Sequence, residues 1–201
     1  HWTRGSSNAP LPVYGPKVVE AIVAGFNAAY ATDNTYRIAH HGPRVVPPGG
    51  AGGIARPFDM AGPATTVLER DGLKITAFTV NHDPIKPSVG YRFDYKGRSL
   101  CISGDTKKSS NLEAVCKGVD ILIHEALDPK LLQKMEASAA ANGQASAAKI
   151  FHDIQDYHTT PEEAAESAQT AAVGMLVLSH LVPPLPSRWL YAAFLGDAKS
   201  R

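Results

Sequence analysis

The sequence predicts an α+β fold, a mixed sheet with flanking helices, on three observations. Runs rich in Val, Ile, Thr, Phe and Tyr occupy residues 65–103 and read as strands. Two of the gaps between them, Asp71-Gly72 and Lys96-Gly97, are tight-turn signals, so hairpins come first. Downstream, short apolar runs alternate with stretches of helical period. Hairpins followed by alternating strands and helices pack as layers around one core. The chain has 201 residues, within the ~100–200 expected of one domain. The reading is a single domain over residues 1–201.

The elements follow in order. Residues 1–9 are polar and irregular. Leu11–Gly15 reads as a short strand, and Pro16 suits the first position of a helix. Val18, Val19, Ile22, Val23, Phe26 and Tyr30 extend that helix to about Ala31. The segment 42–57 holds Pro43, Pro47, Pro48, Gly49, Gly50, Gly52 and Gly53 and is predicted as a Gly/Pro-rich surface loop. Strands are predicted over Thr65–Leu68, Leu73–Val80, Val89–Tyr95, Ser99–Ser103 and Val119–His124. Helices follow over Leu127–Ala141 and Ala145–Ile154. Thr160, Pro161 and Glu163 form a helix-start signature, with the helix running to about Ala172. Val173–Ser179 is a last strand and Arg188–Leu195 a short terminal helix.

Charge and cysteine content narrow the function classes. Lys+Arg total 20 against 19 for Asp+Glu, a net charge of +1. That balance gives no broad basic field for nucleic acid or an anionic membrane. No apolar run approaches the ~20 residues of a membrane span. Cys101 and Cys116 are too few for a disulfide framework and read as small buried hydrophobes.

The chemistry-bearing residues cluster after strands. Asn81-His82-Asp83 follows the run ending at Val80, and Ser103-Gly104-Asp105-Thr106 follows Leu100–Ile102. His124-Glu125 follows Val119–Ile123, and His180 follows Val173–Leu178. Strand ends are where a rigid sheet projects functional groups. Imidazole and carboxylate together suit zinc, with manganese or iron as alternatives in an oxygen-rich site. A single histidine at a strand end is ordinarily structural; four such placements in one chain point to a shared site.

These motifs resemble the metallo-β-lactamase superfamily and, within it, the ribonuclease Z-like branch. Pro10–Pro16 resembles the family's central strand-to-helix segment. Val80-Asn81-His82 with Gly90-Tyr91-Arg92 resembles its third metal motif, and Ser103–Thr106 its fourth. His124-Glu125-Ala126, Tyr157-His158-Thr159-Thr160 and Leu178-Ser179-His180 resemble segments of the same branch. The resemblance implies an αββα sandwich, of which this chain supplies the C-terminal part. It implies His82 and His180 as ligands of two separate metals, with Asp105 bridging them. Metal-bound hydroxide is the implied nucleophile, with one or two zinc ions as cofactor. His158 is implied as a proton donor to the leaving oxygen, and His124 or Glu125 as the partner that orients an imidazole.

The sequence departs from the family in two places. The motif His-x-His-x-Asp-His is absent, and His40-His41, read in a loop, does not replace it. We therefore expect a piece of a larger enzyme, incomplete at the metal site and oligomeric with copies of itself. Gly90–Arg92 also runs through Lys96-Gly97 directly into the next strand, which leaves no room for a tRNA-gripping arm there. The expected function is metal-dependent hydrolysis of a small phosphodiester or other ester, with tRNA disfavoured. Arylsulfatase-like or lactonase-like hydrolysis is the alternative, as is a non-catalytic fragment used for binding or assembly.

Overall fold

A computed structural model describes residues 1–200, with side chains through residue 198; residue 201, the end of the predicted domain, lies outside the described residues. The chain divides into two compact units, His1–Asp59 and a second starting at Met60.

The first unit begins with a single helical turn, α1 (Trp2–Gly5). Strands β1 (Leu11–Pro16) and β2 (Gly53–Phe58) then pair in parallel, from Leu11 opposite Gly53 to Pro16 opposite Phe58. Parallel pairing requires a crossover, here supplied by α2 (Val19–Ala29) and α3 (Ala31–His41). The Asn27 amide locks α2 to β2, donating to the Gly53 carbonyl and accepting from its N–H, both at 2.9 Å. Three expectations change here. The predicted helix stops at Ala29 because α3 starts a new one. His40 and His41 lie in the last turn of α3, not in a loop. That helix escapes the sequence pattern because it is polar and carries no apolar stripe; an Asp33–Arg37 ion pair at 2.6 Å supports it locally. Strand β2 occupies the end of the segment read as a loop, where Gly and Pro mask the pairing.

The second unit is a six-stranded sheet in sequential order. Its strands are β3 (Ala64–Arg70), β4 (Leu73–Thr79), β5 (Val89–Tyr95), β6 (Arg98–Ile102), β7 (Ile121–Leu127) and β8 (Met175–Val182). The first four strands pair antiparallel and the last three parallel. Both predicted hairpins form. Asp71 and Gly72 take φ of 54° and 79°, Lys96 and Gly97 49° and 77°, the two left-handed residues of a tight hairpin turn. The parallel strands are connected by helices: α4 (Ser110–Val115) between β6 and β7, then α5 (Pro129–Ala141), α6 (Ala145–Asp153) and α7 (Pro161–Thr170) between β7 and β8. Helix α7 starts with the predicted capping box: Thr160 Oγ1 accepts from the Glu163 N–H at 3.2 Å, and Glu163 Oε2 accepts from the Thr160 N–H at 2.9 Å. Helix α8 (Tyr191–Leu195) follows a short 3₁₀ turn.

One face of the sheet is packed. Phe78, Cys101, Leu112, Cys116, Val119, Leu122 and Ala168 form the core cluster between the sheet, α4 and α7. Arg92 closes it at one end, donating to the Val115 carbonyl at 2.7 Å at the end of α4. The other face is not covered to the same degree. Ile102, Ile121, Met175 and Val177 sit on adjacent registers of β6, β7 and β8 and are 36–58% exposed.

Cys101 and Cys116 are joined as a disulfide that ties β6 to the end of α4. Both are fully buried, as expected, but they are not two independent small hydrophobes. Sequence spacing could not reveal the pairing because it arises from α4 folding back over β6. Closing a loop of 15 residues restricts the unfolded chain and stabilises by about 3 kcal/mol in the chain-entropy account. Replacing both cysteines by alanine should lower the unfolding free energy by that order in a non-reducing guanidinium titration. An unchanged midpoint would remove the disulfide from the stability of the fold.

Candidate metal centre

The site is assembled from five segments of the second unit. After β4, the chain places Asn81 and His82. After β6 it turns through Ser103 and Gly104 to Asp105 and Thr106. Gly104 has φ of 66°, and a Cβ there would stand 2.7 Å from the Val89 carbonyl, so the turn requires glycine. Strand β7 contributes Glu125 and β8 contributes His180. His158 and Thr159 lie in the link between α6 and α7. His124-Glu125 and His180 therefore lie within strands, not beyond their ends. Pairing of β7 with β8 continues to Leu127 opposite Val182, past the apolar run visible in the sequence.

His180 occupies a bulge. Glu125 pairs with Ser179 and Ala126 with Leu181, so His180 is the extra residue between them. Its φ is 46°, a left-handed backbone conformation that a non-glycine residue adopts at a cost. Bulges re-aim side chains beside functional sites. This one brings His180 Nε2 within 3.8 Å of Asp105 Oδ1.

Among the described residues, one group of three has ligand atoms close enough to hold a metal ion: Asp105, His158 and His180, all within 4.8 Å of one another. The His158 and His180 rings stack with centroids 5.7 Å apart. Burial differs sharply across the group. The His158 side chain is 7% exposed, while those of Asp105 and His180 are 42% and 51% exposed.

Glu125 organises the group from beneath. Its side chain is 2% exposed. One oxygen, Oε1, accepts from His158 Nδ1 at 2.9 Å, the Thr106 N–H at 3.0 Å and the Thr159 N–H at 3.3 Å. A carboxylate only accepts, so His158 Nδ1 carries a proton, and in the neutral ring the lone pair is on Nε2. That is the tautomer a ligand needs, fixed by a carboxylate behind the ring. The fit for one cation is therefore good: one carboxylate and two imidazoles, with room left for a fourth position. A second cation finds no comparable set among the described residues.

The sequence reading named His82, Asp105 and His180 as ligands and His158 as the acid. The structure brings Asp105 and His180 together with His158. His82 sits one ring away, its centroid 5.4 Å from that of His158. Its Nδ1 donates to the Tyr157 carbonyl at 2.9 Å, which fixes its tautomer as well. Of the two candidates for orienting an imidazole, Glu125 meets His158. His124 does not; its Nδ1 donates to the Glu125 carbonyl at 2.7 Å. Sequence reasoning missed Thr106 and Thr159 as participants. Their signal was a threonine following a candidate ligand in both Asp105-Thr106 and His158-Thr159.

Residues 8–181 match the model of the beta-lactamase superfamily domain. The chain belongs to that superfamily. Among curated relatives, ribonuclease Z of Mycobacterium tuberculosis strain H37Rv is 32% identical over 181 residues. Ribonuclease Z of Mycobacterium avium strain 104 is 34% identical over 176 residues. Each match covers 88% of this chain and 58% or 56% of the relative, so the chain spans little more than half the length of either. Solved structures agree on the superfamily fold. The metallo-β-lactamase fold protein YhfI of Bacillus subtilis aligns over 98% of this chain and 61% of its own, with TM-score 0.56 and 18% identity. Human tRNase Z, short form, aligns over 86% and 60%, with TM-score 0.52 and 20% identity. The resemblance read from the motifs thus holds for this superfamily member, both in fold and in its ribonuclease Z relatives.

His124 gives the superfamily chain a pH-dependent term. It is fully buried, and burial holds its imidazole below the usual histidine range, opposed by the neighbouring Glu125 and by Glu163. Below about pH 6.5 the unfolded chain takes up a proton at this position that the folded chain refuses. Stability contributed by neutral His124 is therefore intact above that pH and is lost as pH falls. The guanidinium midpoint should drop from pH 7.5 to pH 5.5, and drop less in His124→Gln. An equal drop in both proteins would exclude His124 as the source.

Proposed function

We propose that this chain carries the metal-binding part of a hydrolase that cleaves a phosphodiester or a related ester. The observation behind the reading is the convergence of Asp105, His158 and His180 over the buried Glu125 carboxylate. Curated relatives named ribonuclease Z point to a phosphodiester as the scissile group. A divalent cation, zinc first, would be held by Asp105, His158 and His180. When bound there it supplies Lewis acidity and a water acidic enough to ionise near neutral pH.

The chain's own residues do the rest. Asp105 brings negative charge to an otherwise imidazole site and suits a hard or borderline cation. Glu125 keeps the His158 lone pair facing the site and prevents the ring from flipping. The open side, at Asp105 and His180, admits a substrate; the closed side, at His158, excludes water. The substrate is proposed to be small. The net charge is +1, and the β5–β6 connection is a two-residue turn that offers no nucleic-acid grip.

A second reading is carried by the His82 ring beside His158. In it, His82 supplies the third ligand, and His158 Nε2, backed by Glu125, delivers a proton to the leaving oxygen. His158→Ala separates the two. Loss of zinc binding together with turnover of a chromogenic phosphodiester marks His158 as a ligand. Retained zinc with a 10²–10⁴-fold fall in kcat, the usual worth of a general acid, marks it as the acid. Asp105→Ala should abolish metal binding and turnover in both readings. Undiminished turnover in that variant would end the proposal.

A further inference from the structure

We infer that Thr106 is a positioning residue that sets the spacing of the three loops bearing His82, Asp105 and His158; the inference rests on the metal-site reading above. Thr106 is fully buried although it follows the half-exposed Asp105. Every polar group it owns is used, and the bonds reach Glu125, Thr159 and Asn81 from one residue. Its N–H donates to Glu125 Oε1 at 3.0 Å. Its carbonyl accepts from Thr159 Oγ1, another fully buried hydroxyl. Its own Oγ1 accepts from the Asn81 N–H at 3.0 Å and donates to the Lys107 carbonyl at 2.6 Å, with the Asn81 carbonyl 3.2 Å away. The Lys107 N–H donates to that Asn81 carbonyl at 2.8 Å and completes the bridge.

The consequence is geometric. Asn81 precedes His82, Asp105 precedes Thr106, and His158 precedes Thr159. One threonine therefore ties the Asn81 backbone beside His82, its own backbone beside Asp105 and the Thr159 hydroxyl beside His158 to one another and to the carboxylate that orients His158. Core packing alone asks nothing of its hydroxyl, since valine fills the same volume. Partners that sit behind the ligands typically change metal affinity 10–100-fold when removed.

The test compares Thr106→Val, which keeps the shape and loses the hydroxyl, with Thr106→Ser, which keeps the hydroxyl. Thr159→Val breaks the same network from the other side if Thr106→Val fails to fold. Two readouts are used. Zinc affinity by chelator competition should fall tenfold or more in the valine variants and return in serine. Histidine ring resonances of the metal-free chain should shift for His82, whose loop the Thr106 hydroxyl holds through Asn81, in Thr106→Val and stay in place in Thr106→Ser; that of His158 should shift in Thr159→Val, which loses the bond to the Thr106 carbonyl. A purely structural threonine would lower the thermal midpoint in both variants without moving those resonances. Unmoved resonances overturn the inference whether or not zinc binds. Zinc failing to bind the unsubstituted chain overturns the metal-site reading instead, with the resonance shifts still deciding the role of Thr106.

Discussion

A carboxylate placed inside a sheet must be satisfied where it lies, because an unpaired buried charge costs more than a single contact returns. Glu125 is in that position. It points from β7 into a region with almost no solvent, and three donors converge on one of its oxygens. Those donors belong to the turn after β6 and to the link before α7. Meeting the need of one side chain thus fixes two loops that are far apart in sequence. The geometry of Asp105 and His158 follows from that requirement. Among the described residues Glu125 Oε2 and His124 Nε2 are buried without a hydrogen-bond partner, so the compensation for burying the Glu125 side chain rests on the three donors at Oε1.

The rest of the second unit serves to hold β6, β7 and β8 in register beneath that network. The disulfide and the Phe78–Leu122 cluster clamp α4 onto β6 on one face. The opposite face keeps Ile102, Ile121, Met175 and Val177 half open. Parallel strands are ordinarily covered on both sides, so this face has apolar surface to bury.

Much of this was legible in residues 64–182 and little of it in residues 1–59. Alternating β-branched and aromatic residues between Asp71-Gly72 and Lys96-Gly97 leave few choices but hairpins. The Thr160–Glu163 box starts α7 on local chemistry alone. By contrast, α3 has no apolar stripe, and β2 is hidden among glycines and prolines until β1 is there to pair with it. The Cys101–Cys116 bond is a product of tertiary packing and has no local signature. At the site, residue types were readable and distances were not. His82 and His158 look alike in sequence, both polar residues beside a strand or helix start. Only the fold shows that Glu125 reaches His158, and that a bulge turns His180 toward it.

That bulge explains why the site is asymmetric. His158 is fixed from behind by Glu125 and shielded from solvent, while His180 depends on a left-handed backbone residue and stands open. A regular β8 would alternate His180 with its neighbours and could not keep both Ser179 opposite Glu125 and Leu181 opposite Ala126. The extra residue frees His180 from the ladder at the point where the ladder passes the site. Strain at one position is set against three hydrogen bonds at another. The result is one rigid donor and two accessible ones, an arrangement suited to a ligand that enters from solvent and is anchored on its buried side.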